Sequence, residues 1–400
     1  MKILVLTDSF KGSLTSMEAG QAIKDGILAA DSQTEVAVYP FADGGEGTLD
    51  AFLAADNSSK KTDLIVSDPL GRMIESGYGI LGDGTAVIEM AGAAGLCLLK
   101  EEEKNPLNTT TRGVGELIRH AVEHGCRRFI VAIGGSATND CGTGMLSELG
   151  CRILDGSGRQ ICDGALGLRD VSSIDTEGML PELKECSFVI ASDVKNPLYG
   201  ENGASRIFAP QKGASPDDVE LMDEWIRHFS DIVKISYPGS DPMAEGAGAA
   251  GGMGYALQAF LGGIMEPGAD VLLNRTDIEK EIASSDLIIT GEGRIDGQTA
   301  MGKAPARIAA AAKRYNKSVI AICGCVGEGA EKCHDIGIDA IFSIVPKEMT
   351  LEEAMKKDIA SANLRRVAEE MIKLACQKEN SAVTASVLYT PESDLEPAFV

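Results

Sequence analysis

The chain has 400 residues, a length that favours two or three domains. Of these residues 44% are hydrophobic and 24% charged, a composition that excludes a disordered protein. Its formal net charge of −23 at pH 7 argues against duplex DNA or RNA as a partner, because phosphate backbones would be repelled. No apolar run is long enough to span a membrane, and the run at the N-terminus is too short for a signal peptide. Ten cysteines without regular spacing indicate reduced thiols. We therefore expect a cytoplasmic protein that binds neither nucleic acid nor membrane; the sequence leaves a homo-oligomer open.

The chain begins with two strand–loop–helix units, which predict a parallel sheet. Strand 3–6 leads through a loop to a helix over 16–30, and Thr15 and Glu18 at its start have capping-box spacing. Strand 35–39, a glycine-rich loop and a second helix repeat this order.

The middle of the chain has a different pattern. Short alternating runs separated by Gly and Asp predict antiparallel strands over 64–67, 74–81 and 85–90. The elements predicted after these runs are helix 112–124, strand 129–133, strand 187–191, helix 216–236 and helix 255–261. The last third returns to alternating strands and helices, with strand 287–290, helix 306–315, strands 318–323 and 340–345, and helix 351–376.

These patterns predict an α/β protein with two α/β domains. Residues 1–61 and 281–376 are predicted to form a Rossmann- or flavodoxin-like domain with a mainly parallel sheet. Residues 62–280 are predicted to form an inserted second domain with a mixed sheet. Residues 377–400 are polar and lack periodicity, which predicts a disordered tail.

The segment 291–305, GEGRIDGQTAMGKAP, contains the pattern G-x-x-x-x-G-K of a phosphate loop. A strand is predicted before it and a helix after it, so loop amides and the helix dipole could hold a phosphate that Lys303 reaches. The next residue is Ala304, whereas a phosphate loop has a Ser or Thr hydroxyl there for Mg²⁺. A chance match remains the alternative. Two G-x-G-x-x-G matches, at 77–82 and 246–251, lack the required strand–glycine–helix order, so a nicotinamide enzyme is not supported.

Cations and acids recur in the predicted turns. The cations are Lys11, Lys195, Lys212 and Arg294, and the acids are Asp8, Asp43, Glu46, Asp140, Asp193, Glu292 and Asp296. Ligands bind at the carboxyl edge of parallel sheets, so we expect these turns to meet at one sheet edge. Mg²⁺ needs one or two carboxylates plus phosphate oxygens, although each acid alone could simply form a turn. None of the four His residues lies in these loops, which disfavours Ser/His hydrolases. The residues thus predict an enzyme for a phosphate-bearing ligand and Mg²⁺, with an unnamed acceptor.

Seven segments, taken together, resemble the class I glycerate kinases of bacteria. They are DSFKGSLTS at 8–16, PFADGGEGT at 40–48, GGSATND at 134–140, SDVKNPLYGENGA at 192–204, PQKGA at 210–214, GAGAAGGMGYAL at 246–257 and TGEGRIDGQTAMGKAP at 290–305. The resemblance runs from residue 1 to about 376. Cys141 stands where that family's GGSATNDGG has Gly, and the tail is longer than the family's usual ending.

The resemblance implies ATP-dependent phosphorylation of D-glycerate, usually at the 2-hydroxyl, by a protein with two α/β domains. It also implies that the phosphate-loop pattern is incidental, which accounts for Ala304. On this basis the catalytic candidates are Asp193 as the base, Lys11, and Asp296 as the second choice of base. Candidates for ATP and its phosphates are Lys303, Gly302, Gly291, Gly293 and Lys212. Candidates for the substrate are Arg72, Arg294, Ser136 and Asn139, and Asp43 and Glu46 are candidates for the metal.

Several alternatives remain open from the sequence. Arg72 could equally be a solvated residue of a hairpin. The acceptor could be another small hydroxy acid or sugar acid, and the chain could instead be a non-catalytic sensor of a nucleotide or metabolite. The choice between 2- and 3-phosphoglycerate as product cannot be made from sequence, because both hydroxyls belong to one small substrate.

Overall fold

The computed structural model describes residues 1–346 and 348–379. Of the predicted disordered tail 377–400, residues 380–400 lie outside the described residues, whereas the last helix continues through Glu379. In the part of the chain that is described, no helix is long and apolar enough to cross a membrane.

The strands are β1 Lys2–Thr7, β2 Glu35–Pro40, β3 Lys60–Ser67, β4 Met73–Ile80, β5 Thr85–Glu89, β6 Arg128–Ala132, β7 Arg152–Asp155, β8 Val171–Asp175, β9 Ser187–Ala191, β10 Ile264–Glu266, β11 Leu287–Gly291, β12 Arg294–Ile295, β13 Ser318–Cys323, β14 Cys325–Val326 and β15 Ala340–Ser343. The α-helices are α1 Ser16–Ala30, α2 Thr48–Ala55, α3 Ala91–Ala94, α4 Arg112–Glu123, α5 Thr143–Glu148, α6 Ala165–Leu168, α7 Ala204–Phe208, α8 Pro216–Ser236, α9 Ala249–Leu261, α10 Gly268–Arg275, α11 Ile278–Ser284, α12 Ala304–Arg314, α13 Lys332–Asp335, α14 Leu351–Ala354 and α15 Lys357–Glu379. Single 3₁₀ turns occur at Leu96–Leu98, Glu101–Glu103, Pro181–Glu185, Pro210–Lys212 and Thr299–Met301.

The chain forms two compact units, Met1–Tyr39 together with the residues from Lys280 onward, and Pro40–Glu279. The predicted boundary lay at residue 61, but the chain enters the second unit at Pro40. The reason is that α2 packs on β4 and β5, where the backbone N–H of Leu49 donates to the Glu89 carboxylate at 3.0 Å.

The first unit contains a five-stranded sheet in the order β15-β13-β11-β1-β2. The pairs β1–β11, β11–β13 and β13–β15 are parallel. Helix α1 begins as its capping box predicts, since Thr15 Oγ1 accepts from Glu18 N at 3.2 Å and the Glu18 carboxylate accepts from Thr15 N at 2.9 Å. It packs closely on α15, with Gly26 against the backbone of Arg365, and covers a core that includes Ile23.

The second unit contains a six-stranded sheet in the order β10-β9-β6-β5-β4-β3. Strands β10, β9, β6 and β5 pair in parallel, and β4 and β3 complete the sheet as antiparallel neighbours. The prediction of an α/β protein with one mainly parallel and one mixed sheet is therefore confirmed. The short strands β7, β8, β10, β12 and β14 were not predicted.

Helix α9 departs most from its prediction, because it begins at Ala249 and is broken over its first turns. Ala250, Gly251 and Gly252 have positive φ values of 53°, 66° and 90°. A Cβ added to Gly251 would lie only 2.1 Å from the carbonyl oxygen of Thr138. The glycine-rich segment 246–254 thus lets one backbone approach another, which is why its G-x-G-x-x-G pattern is not a dinucleotide fingerprint.

Gly251 in α9 and Gly262, which follows the helix, separate the effect of backbone strain from that of close packing. Gly262 also has positive φ, at 64°, but a Cβ there would meet nothing within 4 Å. We expect Gly262→Ala to lower the free energy of unfolding by about 1 kcal/mol, the cost of the left-handed conformation alone. Gly251→Ala should lower it by about 3 kcal/mol or more, because steric overlap is added. Urea unfolding followed by circular dichroism measures both, and equal losses would contradict the packing role of Gly251.

Candidate active site

Three parallel strands of the second unit end side by side. Glu89 of β5 is in register with Ala132 of β6, and Ala132 is in register with Ala191 of β9. The loops that follow these strands therefore begin at one edge of the six-stranded sheet. They include the segment from Gly134 to Asp140 and the residue Asp193.

The loop that carries Asp43 and Glu46 lies against the same strand ends. The backbone N–H of Gly134 donates to the carbonyl of Gly44 at 2.9 Å, and a Cβ on Gly44 would lie 2.6 Å from the carbonyl oxygen of Ala191. Glu46 Oε1 lies 3.3 Å from where a Cβ of Gly135 would be. These approaches hold the two acids beside the loop at 134–140.

Asp193 and Asp43 flank one glycine, Gly268. The backbone N–H of Gly268 donates to Asp193 Oδ1 at 3.2 Å, and a Cβ on Gly268 would lie 2.1 Å from the carbonyl carbon and oxygen of Asp43. Asp193 itself is exposed. The structure thus places the predicted base and the backbone of Asp43, one of the predicted metal ligands, on either side of Gly268.

The substrate candidates of the loop at 134–140 differ in accessibility. Ser136 is 8% exposed and its Oγ accepts from Lys212 Nζ at 2.8 Å. Asn139 is fully buried and its Nδ2 donates to Ser205 Oγ at 2.9 Å. Asn139 therefore fixes the loop, and its side chain does not face solvent as a substrate ligand would.

Lys212, predicted as a phosphate ligand, is also buried. Besides Ser136 it donates to the carbonyl oxygen of Thr138 at 2.6 Å. Burial lowers the pKa of Lys212 to about 7, while the nearby charge of Asp140 acts in the opposite direction. The ammonium group therefore contacts the loop rather than an external phosphate.

Arg72, a predicted substrate residue, has a guanidinium group that is already paired with two carboxylates. Its Nε donates to Asp68 Oδ2 at 2.5 Å and its Nη1 donates to Glu103 Oε1 at 2.7 Å. Asp68 also accepts from the Arg72 backbone N–H at 2.8 Å, closing the turn between β3 and β4. This geometry favours the hairpin alternative over a role in binding glycerate.

Glu89 is a carboxylate that the sequence analysis did not single out. It ends β5 and accepts backbone N–H bonds from Leu49 and Gly47 at the start of α2. Burial raises its pKa to about 6, with Asp50 and Glu46 adding smaller effects. The sequence could have indicated Glu89 as a site residue only through its position at the end of a predicted strand. The backbone N–H groups that it binds could not be predicted, because they depend on the fold.

In the first unit, β1 and β11 also end in register, with Thr7 opposite Gly291. The backbone N–H of Asp8 donates to the carbonyl of Gly291 at 2.8 Å. A Cβ on Gly293 would lie 3.6 Å from the backbone nitrogen of Lys11, whose side chain is exposed. Lys11 and the two glycines are therefore neighbours at the carboxyl edge of the five-stranded sheet.

The acids of the segment after β11 form an ion pair and hydrogen bonds within that segment. Arg294 Nε lies 3.2 Å from Asp296 Oδ2, and Asp296 Oδ1 accepts from the backbone N–H of Gln298 at 2.9 Å. Glu292 is buried and accepts from Thr299 Oγ1 at 2.6 Å. Asp296 and Glu292 thus act in part as turn-forming acids, the alternative noted for them from the sequence.

Lys303 is the N-cap residue of α12, which begins at Ala304. Gly302 before it has φ 119°, and the backbone N–H of Lys303 donates to the Thr299 carbonyl at 3.3 Å. A short strand and a 3₁₀ turn separate β11 from the helix, unlike the direct strand–loop–helix of a phosphate loop. The lysine still stands at the positive end of an 11-residue helix, where anions are stabilised.

The expectation that these turns meet at one sheet edge is wrong. Lys11 and Lys303 belong to the unit with the five-stranded sheet, and Asp193 follows a strand of the six-stranded sheet. Both chain segments showed the same strand-then-loop order. The order alone does not reveal which sheet a strand joins.

The donor set of the second unit suits Mg²⁺ better than a metal held by protein alone. Within residues 1–346 and 348–379, no three His, Cys, Asp or Glu side chains converge as a metal site. Mg²⁺ in phosphoryl-transfer sites needs only one or two carboxylates, with phosphate oxygens and waters completing its shell. Asp43 and Glu46 are the two carboxylates that the sequence predicts for such a site.

Comparison with known proteins gives one consistent family. The model of the glycerate kinase family matches residues 3–376. The chain is 43% identical over 379 residues to a glycerate kinase of Bacillus subtilis (strain 168), covering 94% of this chain and 98% of the relative. It is 44% identical over 357 residues to the glycerate 2-kinase of Escherichia coli (strain K12), covering 89% and 93%. A crystal structure assigned as glycerate kinase 2 of Salmonella typhimurium LT2 matches with a TM-score of 0.81 and 40% sequence identity. The match covers 96% of this chain and 100% of that chain.

Glu89 gives a pH-dependent test of this site. Its pKa in the folded protein is about 6, above the ordinary value of 4.5, so between these pH values the folded state binds more protons than the unfolded state. Folding stability from Glu89 therefore falls as pH rises through this window, by about 2 kcal/mol at about 1.4 kcal/mol per pKa unit. Relative to wild type, Glu89→Gln should gain that amount between pH 4 and pH 7, measured by urea unfolding. Glu224→Gln, at an exposed position of α8, is the control. If Glu89→Gln gained no more free energy of unfolding than Glu224→Gln over this pH range, the burial of the Glu89 charge would be refuted.

Proposed function

The chain belongs to the glycerate kinase family, and from this premise we propose that it transfers the terminal phosphoryl group of ATP to the 2-hydroxyl group of D-glycerate. The similarity to the Escherichia coli protein named glycerate 2-kinase carries the proposal, including the position of transfer. ATP is the phosphoryl donor that a kinase family implies.

Phosphoryl transfer requires in-line positioning, neutralisation of charge on the phosphates and a group that accepts the hydroxyl proton. For the phosphates we propose Lys11 and Lys303, with Gly293 and Gly302 allowing close approach of the backbone. Lys11 is exposed beside Gly293, and Lys303 stands at the start of α12. The exposure of Lys11 and the position of Lys303 at a helix N-terminus support the proposal that they bind an anion.

For the acceptor we propose Asp193 as the base that takes the proton of the 2-hydroxyl. Its Oδ1 is oriented by the N–H of Gly268, and the side chain is exposed to an incoming ligand. Asp43 and Glu46 would hold Mg²⁺, which neutralises phosphate charge when bound. Asp296 is the weaker candidate for the base, because its carboxylate is already bonded to Arg294 and to a backbone N–H.

For the carboxylate of glycerate we retain Arg294 of the two predicted arginines. Its side chain is 63% exposed, whereas Arg72 is held by two carboxylates. A guanidinium group matches a carboxylate through two parallel hydrogen bonds. Ser136 is the hydroxyl-bearing candidate of the second unit, since it retains 8% exposure and its Oγ accepts a hydrogen bond from Lys212 Nζ.

Product analysis tests the reaction directly. The protein is incubated with ATP, Mg²⁺ and D-glycerate, and the product is examined by proton-coupled ³¹P NMR. We expect a doublet, because phosphorus on the 2-oxygen couples to one proton. A triplet would mean transfer to the 3-hydroxyl, and transfer to other hydroxy or sugar acids but not to glycerate would identify another acceptor. The absence of ADP release with every acceptor would instead support a non-catalytic nucleotide sensor.

Replacement of Asp193 tests the proposed base. Asp193→Asn should keep the KM for ATP and reduce kcat by about 10²–10⁴, the usual contribution of general-base catalysis. Asp231→Asn, at an exposed position of α8, is the matched control and should retain wild-type turnover. Turnover of Asp193→Asn within about tenfold of wild type would reject the assignment.

A further inference from the structure

Lys212 is the one lysine that is buried among the described residues, with 2% of its surface exposed. It ends the turn Pro210–Lys212, and Gly213 after it has φ 95° and packs against the backbone of Lys104. This local geometry directs the lysine side chain inward. Its Nζ reaches Ser136 Oγ at 2.8 Å and the Thr138 carbonyl oxygen at 2.6 Å.

The ionisable group whose charge acts on Lys212 is Asp140, which is also fully buried. Asp140 Oδ2 accepts from the backbone N–H and the hydroxyl of Thr111 at 2.9 and 2.8 Å, and Oδ1 accepts from Gly142 N at 3.1 Å. The adjacent Cys141 stays a neutral thiol, because burial raises its pKa well above the ordinary value. Asp140, at the end of the loop at 134–140, is thus a buried acid whose charge opposes the effect of burial on the pKa of Lys212, and burial raises the pKa of Asp140 itself.

The same loop has hydrogen-bonding capacity that the protein leaves unused. Thr138 Oγ1 and Asn139 Oδ1 are buried and have no hydrogen-bond partner among the described residues. Leaving a buried polar atom unpaired costs free energy. The buried polar groups beside Lys212 are therefore only partly satisfied by the described residues, and Ser136, at 8% exposure, is the more accessible side chain of this group.

The protonation state of Lys212 determines what Ser136 can do. An ammonium group only donates, so Ser136 Oγ must accept from it and the serine O–H points elsewhere. A neutral amine has a lone pair, so Ser136 can donate to it instead, and the hydroxyl proton is then turned toward the lysine. Ser136 retains 8% exposure, so its O–H can reach a small ligand when it points away from Lys212.

We infer that Lys212 is a positioning residue, which in its ammonium form turns the Ser136 hydroxyl outward to donate a hydrogen bond to an oxygen atom of glycerate. The inference rests on the proposed function, since glycerate is the ligand. It assigns Lys212 to substrate orientation and not to direct contact with ATP.

The test measures KM for D-glycerate and kcat between pH 6 and pH 9 for the wild type and for Lys212→Met, Ser136→Ala and the double variant. In the wild type, kcat/KM for glycerate should fall as pH rises through about 7, through KM and not kcat. Each single variant should lack this inflection and show a KM at pH 6 raised roughly ten- to a hundredfold, the effect of one hydrogen bond to a charged group. The double variant should be no worse than Ser136→Ala.

Lys184→Met is the matched control, because Lys184 is exposed in the turn Pro181–Glu185 before β9. It should retain the wild-type profile. An inflection that persists in Lys212→Met and Ser136→Ala, or additive losses in the double variant, would overturn the inference. If near-ultraviolet circular dichroism shows that Lys212→Met does not fold, the pH profile of Ser136→Ala alone tests the inference. A wild type that releases no ADP with glycerate would instead show that the proposed function has failed.

Discussion

Parallel pairing in register is the constraint on which the second unit's candidate site depends. Because Glu89, Ala132 and Ala191 are aligned across β5, β6 and β9, their loops begin at one level of the sheet. Where two of these loops come into contact, a side chain on either backbone would collide with the other. Gly44 and Gly268 have no side chain, so the backbones can approach there. At Gly44 and Gly268, glycine is therefore required by loop packing at strand ends.

The charges of the site are held by hydrogen bonds from the backbone more than by opposite charges. Glu89 binds amides of α2, Asp193 binds the amide of Gly268, and Asp140 accepts from amides of Thr111 and Gly142. In a chain with net charge −23, additional acids placed close together would repel one another. Backbone donors thus stabilise each of these three carboxylates without requiring a cation.

Local signals were sufficient for elements whose ends are determined by neighbouring residues. The capping box of Thr15 and Glu18 predicted the first residue of α1, and α8 occupies the predicted range 216–236. Features that depend on distant contacts were not predictable. Lys212 is buried by residues 76 and 74 positions away, and the break in α9 follows from the approach of Gly251 to Thr138. The predicted domains already placed Lys11 and Lys303 apart from Asp193, yet the strand-then-loop order led to the expectation of one shared sheet edge, which depends on distant strand pairing.

The departure from the family's glycine at Cys141 has a physical explanation in the same loop. Cys141 has φ 51°, a left-handed conformation that costs a non-glycine residue about 1–2 kcal/mol. Its backbone N–H donates to the Gly251 carbonyl at 3.0 Å, and its side chain is fully buried. A Cβ on Gly252 would lie 2.6 Å from Cys141 Sγ, so the thiol fits only because position 252 has no side chain. The strain at Cys141 is thus offset by burial of its sulfur in space that a second glycine provides.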